Sequence, residues 1–515
     1  MLAFPFKTYR KGQREAIEAA ITAFNAGKRF VIIEAPTGAG KSAIAITLAR
    51  QSRNAYILTA QKLLQEQYLR DFPDLSLMKG RANYPCLVAD THAAAAPCIA
   101  GHKFSQCVDC PYFVQKDIAM AAHSTVMNYA YYLTELNYAG GFADRNLLIL
   151  DEAHNAEGSL MNFIQISLSD YALMRVGIPE RIPQMREEVY YFDFAEDIMQ
   201  LIRQRGKELD KKLKDEDNKL HPEEAIDLMH HKQWCDNQAH KLKQLIYNRG
   251  EFDEEWVVEK SHGREGVNLN FKPVTVAQYA QDYLFREADQ VLLLSATILD
   301  PPTYLRSLGI DQTEAAVIQM PSDFPPENRP IFLKKTARMT RHYLERDLPK
   351  LVKEIEELMT SHAQQKGIIH AHSYKIASYI YEHLAAKHKA RLISHFSAGE
   401  REAAYEKHSR DPRPTVLLSP SMTEGIDLAD DLSRWQVICK IPYPYLGDPQ
   451  VARRKDIDPA WYDWNTCLTV VQAYGRSVRS RDDFAVTYVL DADFGAFVKR
   501  QHQRLPRWFL EAIHD

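Results

Sequence analysis

The chain has 515 residues, of which 45% are hydrophobic and 26% charged, and its formal net charge is −4. This composition is that of a globular protein with several domains and ample core. The nearly neutral charge excludes a uniformly basic nucleic-acid coat, so a polyanion would have to bind in a local basic groove. The N-terminus lacks a long apolar segment, and no stretch approaches the about 18 apolar residues of a membrane span. We therefore expect a cytoplasmic protein.

Eight short apolar runs recur along the chain, and each ends at polar or small residues. They cover residues 30–35, 55–60, 146–152, 290–297, 367–372, 415–420, 435–442 and 485–491. Each has the length of a strand buried on both faces, and helical patterns separate most of them, which is typical of parallel α/β sheets. The runs form two groups, before residue 300 and after residue 366, and the Pro-rich stretch 320–330 is the natural hinge. The pattern predicts an α/β fold with two sheet domains.

The first run leads directly into PTGAGKS and then into a helical pattern. This strand, Gly-rich loop and helix are the context that a phosphate-binding P-loop requires. Gly38 and Gly40 would let backbone N–H groups approach the phosphates, Lys41 would reach the β- and γ-phosphates, and Ser42 would coordinate Mg²⁺. Ala35 stands where a P-loop usually has its first glycine. The loop predicts binding of ATP with Mg²⁺.

Four of the seven cysteines fall within 25 residues, with the spacing C-x11-C-x8-C-x2-C. These four are Cys86, Cys98, Cys107 and Cys110. Four thiolates suit either tetrahedral Zn²⁺ or an iron–sulfur cube, and the spacing alone leaves both open. The remaining three are Cys235, Cys439 and Cys467. These are scattered, and we expect them to be packing residues.

The third run ends in the sequence DEAH. Asp151, at the end of a buried strand, can hold the Mg²⁺ shell, and Glu152 can polarise the attacking water. His154 either couples the ATP site to an interdomain cleft or caps a turn. The region that follows, 160–270, is rich in charge with helical spacing, which predicts a solvated helical insertion.

Near the C-terminus, the sequence VVQAYGRSVRS places polar and basic residues at helical spacing. Gln472, Arg476 and Arg479 stand at i, i+4 and i+7, so they lie on one face of a helix. Two arginines that face a γ-phosphate can act as arginine fingers, which stabilise charge in the transition state.

Together these motifs resemble the XPD/DinG-like group of superfamily 2 helicases, and the resemblance spans nearly the whole chain. The matching stretches are EAPTGAGKS (34–42), LTAQKLLQEQ (58–67), KGRANYPC (79–86), CVDCPYF (107–113), DEAH (151–154), LLSAT (293–297), SPSMTEGIDL (419–428), IPYPYLGDP (441–449) and QAYGRSVRS (472–480). The four cysteines stand between the P-loop and DEAH, where this family inserts its cluster domain. The resemblance therefore favours a [4Fe–4S] cluster, with Zn²⁺ as the alternative.

The resemblance implies two RecA-like parallel-sheet domains with an inserted iron–sulfur domain and a helical arch-type insertion. The expected division is 1–79, 121–160 and 271–325 for RecA-like domain 1, 80–120 for the iron–sulfur insertion (here the cysteine segment), 161–270 for the arch-like insertion and 326–515 for RecA-like domain 2. The arch is short, and Phe484 stands where the family often has glycine. Strand-gating contacts therefore cannot be transferred residue by residue.

The resemblance also assigns roles at the nucleotide site. The expected catalytic residues are Lys41, Asp151, Glu152, Gln472, Arg476 and Arg479. The expected nucleotide-binding residues are Tyr9, Arg10 and Gln13 at the adenine, Pro36, Thr37, Gly38, Ala39, Gly40, Lys41 and Ser42 in the P-loop, and Asp151, Gly425 and Asp427. Residues expected to couple ATP state to the nucleic-acid track are Thr59, Ser295, Thr297, Glu424, Gly425 and Asp427.

The sequence thus predicts an ATP-dependent DNA helicase that moves 5′→3′ on single-stranded DNA and acts on tailed or forked duplexes. An RNA–DNA hybrid is a further candidate partner; no membrane is expected and protein partners cannot be read. A translocase or RNA-directed helicase with the same core is the alternative function. A non-catalytic scaffold is disfavoured by the intact ATPase motifs. If the source is a prokaryote or phage, we expect association with the nucleoid.

Overall fold

The structure is a computed structural model that describes residues 3–60, 62–96, 98, 105–142, 144–215, 222–249, 255–263, 266–322, 324–420, 428–478 and 480–514. Its strands are β1 (Phe30–Glu34), β2 (Ala55–Thr59), β3 (Ser76–Leu77), β4 (Ser124–Asn128), β5 (Arg145–Asp151), β6 (Ile166–Ser169), β7 (Trp256–Gly263), β8 (Gly266–Pro273), β9 (Ala288–Ser295), β10 (Ala315–Gln319), β11 (Ile331–Ala337), β12 (Gly367–His370), β13 (Leu392–Ser394), β14 (Val416–Ser419), β15 (Trp435–Ile438), β16 (Val486–Asp491) and β17 (Ile513–His514).

The α-helices separate most of these strands along the chain. They are α1 (Gln13–Asn25), α2 (Lys41–Gln51), α3 (Lys62–Asp71), α4 (Pro111–Ala121), α5 (Tyr129–Thr134), α6 (Ala156–Ile164), α7 (Asp170–Arg175), α8 (Tyr190–Lys214), α9 (Pro222–Arg249), α10 (Ala277–Ala280), α11 (Pro301–Ser307), α12 (Leu344–Ser361), α13 (Tyr374–His383), α14 (Ala386–Lys389), α15 (Arg401–Arg410), α16 (Pro449–Ile457), α17 (Pro459–Tyr474), α18 (Phe494–Arg500) and α19 (Arg507–Leu510). Within the described residues, no helix is long and apolar enough to cross a membrane.

Two parallel seven-stranded sheets form the body of the molecule. The sheet of lobe 1 has the order β10-β1-β9-β5-β2-β4-β3, and the sheet of lobe 2 has the order β13-β14-β12-β15-β16-β11-β17. All eight apolar runs of the sequence contain one of these strands, and helices cover their faces, which is why the runs are apolar throughout. The predicted α/β fold with two RecA-like parallel-sheet domains is confirmed. The chain passes from lobe 1 to lobe 2 between β10 and β11.

Residues 166–273 form an insertion with its own core. The helices α8 and α9 pack against each other, and a three-stranded antiparallel sheet of order β6-β8-β7 lies beside them. In α8 the buried side chains Ala195, Ile198, Ile202 and Leu209 recur at helical spacing, which gives the helix one apolar face. The sequence predicted the helices but not the sheet, because charged and polar residues interrupt the apolar alternation of β7 and β8.

The lobes are joined by packing and polar contacts as well as by the chain. The helix α17 of lobe 2 carries Trp461 and Trp464 into a core that lobe 1 shares. The Trp464 indole N–H donates to the main-chain oxygen of Ile298 over 2.7 Å, and the Trp461 indole donates to Glu157 over 3.0 Å. The guanidinium of Arg454 lies 3.4 Å from the same carboxylate. These contacts hold the two lobes together, and the carboxyl edges of both sheets face the cleft between them.

Candidate functional site

The P-loop lies between β1 and α2 at the carboxyl edge of the lobe 1 sheet. Gly38 and Gly40 adopt φ angles of 79° and 78°, the left-handed region that favours glycine. A Cβ at Gly40 would also collide with the Gln13 side chain. The loop therefore needs glycine at this position for both reasons, and it turns the backbone N–H groups of the first turn of α2 toward the cleft.

Gln13 and Arg10 hold the P-loop from outside. The Gln13 amide donates to the Ala39 carbonyl over 2.8 Å and accepts from the Arg10 backbone N–H over 2.6 Å. The Arg10 guanidinium donates to the Gly38 carbonyl. Arg10, Pro36, Thr37, Gly38 and Ala39 line one pocket beside the loop. Tyr9, in contrast, stacks on Phe4 with 3.9 Å between ring centroids, and it does not line that pocket.

The acidic pair of DEAH ends β5. Asp151 is buried, and its carboxylate accepts from the Tyr68 hydroxyl over 2.8 Å and from the Glu152 backbone N–H over 3.0 Å. Burial, and then the charge of Glu152, raise the pKa of Asp151, while Lys41 opposes that shift. Lys41 Nζ lies 3.6 Å from Glu152 Oε1. Glu152 has a φ of 50°, a strained conformation of the kind that persists at functional sites.

A chain of contacts runs from this acid pair across the cleft. His154 Nδ1 lies 3.5 Å from Glu152 Oε2 and 2.8 Å from Ser295 Oγ. The Ser295 hydroxyl accepts from the Thr297 backbone N–H over 3.1 Å, and the Gln472 amide of lobe 2 donates to Thr297 Oγ1 over 3.4 Å. The structure thus places His154 on the path between the lobes and not at a turn cap alone. We call these contacts the interlobe relay.

Arg476 lies on the lobe 2 side of the cleft, in the turn after α17. Because α17 ends at Tyr474, the predicted helix face that joins Gln472 to Arg476 is wrong. Its Nε donates to the Gln472 carbonyl over 3.2 Å, and it lines one cleft with Lys41, Glu152 and Thr297. This interlobe cleft joins residues that are more than 400 positions apart in the sequence. Four other predicted residues, Arg479, Glu424, Gly425 and Asp427, lie outside the described residues.

The four clustered cysteines lie half-buried and free of disulfides. Burial raises the pKa of the Cys98 thiol, and the nearby Cys107, Cys110 and Cys86 raise it further. The four thiols are therefore close enough to interact electrostatically. The Val88 backbone N–H donates to Cys86 Sγ over 3.4 Å. Cys110 stands at the N-cap of α4, and Pro111 begins that helix.

Among the described residues, no three or more His, Cys, Asp or Glu side chains are grouped so that they could hold a metal ion. A single Zn²⁺ needs four sulfurs at about 2.3 Å from one centre. Four thiolates are also the donor set of an iron–sulfur cube. The residue types fit such a cluster.

Comparison with known proteins identifies the family. Residues 6–178 match the family described as the res subunit of type III restriction enzymes, and residues 355–512 match the helicase C-terminal domain. A probable ATP-dependent helicase of Methanocaldococcus jannaschii is 20% identical, over 96% of this chain and 93% of the relative. The structure of an XPD helicase superposes with a TM-score of 0.64 at 16% identity, covering 97% of this chain and 98% of the other. The Xpd4 structure of S. tokodaii gives 0.59 at 16% identity, covering 98% and 100%.

The chain is an XPD/DinG-like superfamily 2 helicase. The family predicted from the motifs is therefore confirmed, and with it an ATP-dependent helicase that uses ATP and Mg²⁺ and binds nucleic acid. The ATP-dependent DNA helicase CHL1 of Candida albicans is a more identical but partial relative, at 31% over 117 residues. That match covers 19% of this helicase and 13% of the relative, so it carries no statement about the whole protein.

A second cleft of the helicase lies where β2 and β4 end. Asn128, at the end of β4, lines it together with Tyr138, Phe163, Trp234 and Lys241. The last two belong to α9, so the arch-like insertion closes this cleft over lobe 1. Burial lowers the pKa of Lys241. Thr59, one of the predicted coupling residues, is buried at the end of β2.

Sequence reasoning missed three residues of the interlobe cleft in this helicase. Phe324, Arg329 and Trp508 line it beside Arg476. The Arg329 guanidinium donates to the Phe324 carbonyl over 3.1 Å and lies over the Trp508 ring, 5.6 Å from its centroid. Arg329 belongs to the Pro-rich stretch between the lobes, where the sequence predicted only a hinge. The aromatic Phe324 and the charged Arg329 of that stretch were the sequence features that could have indicated a role in the cleft.

Proposed function

We propose that this helicase uses ATP hydrolysis to move 5′→3′ along single-stranded DNA and to separate tailed or forked duplexes. The observation that carries the proposal is the interlobe relay, because it links the acid pair of lobe 1 to Gln472 of α17 in lobe 2, close to Arg476 in the turn that follows. The direction of movement is taken from the resemblance to the family. The preference for DNA is taken from the same resemblance, and the partial match to an ATP-dependent DNA helicase of Candida albicans agrees with it.

The residues of lobe 1 would bind and activate the nucleotide. Lys41 neutralises the β- and γ-phosphates, and Ser42 and Asp151 hold Mg²⁺, which when bound screens the phosphate charge. Glu152 orients and polarises the water that attacks the γ-phosphate. Lys41 Nζ lies 3.6 Å from Glu152 Oε1, so bound phosphates would compete with this carboxylate for the lysine.

The residues of lobe 2 would complete the site. Arg476 approaches the γ-phosphate from across the cleft, and Arg479 is proposed as its second arginine finger. Hydrolysis removes the charge that these guanidinium groups contact, so the cleft opens again after each turnover. Gln472 and Thr297 report this change along the interlobe relay to Ser295 and His154. The lobes then alternate between closed and open positions.

The second cleft is the proposed path of the single strand. It is lined by a lysine and by aromatic side chains, among them Tyr138, Phe163 and Trp234. Bases stack on aromatic rings without regard to sequence, and cations follow the phosphate backbone. A path at the ends of β2 and β4 also lies on the edge of lobe 1 that carries the P-loop and the acid pair, so opening and closing of the lobes would move the strand.

The cysteine segment is the proposed strand separator. Cys86, Cys98, Cys107 and Cys110 would hold a [4Fe–4S] cluster, which when bound ties distant parts of this small segment together. Arg81 lies over the Tyr112 ring at 4.8 Å, and Tyr112 donates to Glu135 over 3.0 Å. These contacts anchor the segment to lobe 1. A rigid knob fixed beside the strand path is suited to split an oncoming duplex.

Unwinding of tailed duplexes by the anaerobically purified protein tests the proposal. Four substrates are compared, with 5′ or 3′ single-stranded tails on DNA or RNA duplexes, in the presence of ATP and Mg²⁺. The proposal expects strand separation of the 5′-tailed DNA duplex only. Faster unwinding of the 3′-tailed duplex contradicts the direction, and faster unwinding of RNA contradicts the substrate.

A further inference from the structure

Tyr68 of α3 lies against the residues proposed to hold Mg²⁺, although it stands outside every motif of the sequence. Its side chain is 2% exposed, and its ring packs in the core of lobe 1 near Ile44, Ala45 and Phe72. Its hydroxyl donates to Asp151 Oδ2 over 2.8 Å. The ring is therefore fixed by packing, and the hydroxyl holds one carboxylate oxygen in place.

The same hydroxyl also contacts Ser42. Burial, and then the negative charge of Asp151, raise the pKa of Tyr68 far above its ordinary value, whereas a hydrogen bond from Ser42 lowers it. The Tyr68 hydroxyl donates to Asp151, and its oxygen can accept from Ser42 at the same time. A buried phenol here joins the serine of the P-loop to the first carboxylate of DEAH, and linked hydrogen bonds in a dry interior strengthen one another.

The Asp151 carboxylate is held at both oxygens. Tyr68 occupies Oδ2, and the Glu152 backbone N–H donates to Oδ1 over 3.0 Å. Each carboxylate oxygen offers two lone-pair positions, so one position on each oxygen remains for water or a cation. The two donors fix the rotation of the carboxylate, and with it the direction in which the remaining positions point.

Tyr129 provides an internal comparison. It is 3% exposed and also donates to Asp151, but to the main-chain oxygen, over 3.3 Å. The two tyrosines have the same size and nearly the same burial. They differ in what the hydroxyl contacts, since only Tyr68 reaches the carboxylate.

We propose that Tyr68 is a positioning residue for the magnesium site, which aligns the Asp151 carboxylate and the Ser42 hydroxyl for one cation. The inference rests on the proposed roles of Ser42 and Asp151 and deepens them. Partners that orient metal ligands commonly change metal affinity by about 10- to 100-fold when they are removed. Tyr68→Phe removes one oxygen and preserves the ring, so the packing of α3 is retained.

Binding of a fluorescent, non-hydrolysable ATP analogue to the full-length holoprotein provides the test. Its affinity is measured in EDTA and over a Mg²⁺ titration, and Mn²⁺ binding is followed in parallel by electron paramagnetic resonance. For Tyr68→Phe we expect the half-saturating Mg²⁺ and Mn²⁺ concentrations to rise about tenfold, with the affinity in EDTA unchanged. Tyr129→Phe should retain the parental metal dependence.

Three outcomes overturn the inference. One is a parental metal dependence in Tyr68→Phe, and another is an equal shift in Tyr129→Phe, because both point to a structural role. The third is an equal loss of nucleotide affinity with and without metal. Lys41→Ala separates this failure from failure of the proposed site. If that variant binds nucleotide like the parent, the P-loop assignment itself is wrong, whatever Tyr68→Phe does.

Discussion

The interlobe cleft and the cysteine segment reach their functional arrangement by different means. In the cleft, two large sheets, hydrogen bonds and an ion pair set four residues in place: Lys41, Glu152, Asp151 and Arg476. The described part of the cysteine segment contains short 3-10 turns and one helix, α4, and its four thiols remain half-buried. A small segment without a large core depends on a bound metal for its fold. The motor should therefore survive damage that destroys the separator.

The largest effect is expected in the cleft. Arg476→Ala should lower strand-stimulated ATP turnover by about a hundredfold, the scale of losing a main electrostatic stabiliser of the transition state. Steady-state ATPase assays with and without single-stranded DNA measure it. Arg410→Ala is the matched control, since Arg410 ends α15 with an 81% exposed side chain. Near-parental turnover in Arg476→Ala contradicts its assignment as an arginine finger.

The second largest effect is expected when the metal of the cysteine segment is lost. Anaerobically purified protein should contain about four irons per chain, and Cys110→Ser should lose most of them. Trypsin should then cleave the cysteine segment while both lobes resist. Cys235→Ser serves as the control because Cys235 is buried in the core of the insertion. Stoichiometric zinc without iron in the parent protein contradicts the [4Fe–4S] proposal.

A smaller effect is expected in the interlobe relay. His154→Ala breaks the contact to Ser295 but removes no proposed phosphate or Mg²⁺ contact. Stimulation of ATP turnover by single-stranded DNA should fall about tenfold, within the range of coupling energies between sites. The exposed His383→Ala provides the control. Equal stimulation in His154→Ala and the parent protein contradicts a coupling role.

The smallest effect is expected in the stability of lobe 2 at acidic pH. Burial lowers the pKa of His370 to about 4, while an unfolded histidine titrates near about 6.5. Between these two values His370 is protonated in the unfolded chain but neutral in folded lobe 2. The free energy of unfolding therefore decreases as pH falls from about 6.5 toward 4. The thermal midpoint, followed by tryptophan fluorescence, should drop over this range. It should drop less in His370→Asn, and an unchanged slope in that variant contradicts the role of His370.

The fold was predictable where burial alone determines the sequence. All eight central strands are continuous apolar runs. The strand β4, with the sequence STVMN, was missed although it is buried. Its Thr125 hydroxyl is satisfied by the Ala119 carbonyl over 2.6 Å, so a polar residue could occupy a buried position that hydropathy does not reveal. The strand β11, which lies between β16 and the edge strand β17, was missed because two lysines interrupt it.

The site was predictable where its chemistry lies in one short segment. The P-loop and DEAH each combine a strand end with the residues that follow it. The family resemblance supplied Gln472 and Arg476, although Arg476 lies beyond the end of α17 and not on its face. Tyr68 and Asp151 are 83 positions apart, and their contact depends on how α3 packs beside β5. Arg329 and Trp508 meet in the same way, through the packing of lobe 2. Such contacts have no local sequence pattern.

One preparation of Cys107→Ser, assayed for both activities, tests the division between motor and separator most directly. Loss of this thiolate removes a proposed cluster ligand, whereas the cleft that contains Lys41 and Arg476 stays intact. We expect the variant to retain a substantial part of its strand-stimulated ATPase and to lose nearly all unwinding of a 5′-tailed duplex, while Cys235→Ser behaves like the parent protein. Unwinding by Cys107→Ser at the parental rate would contradict the account.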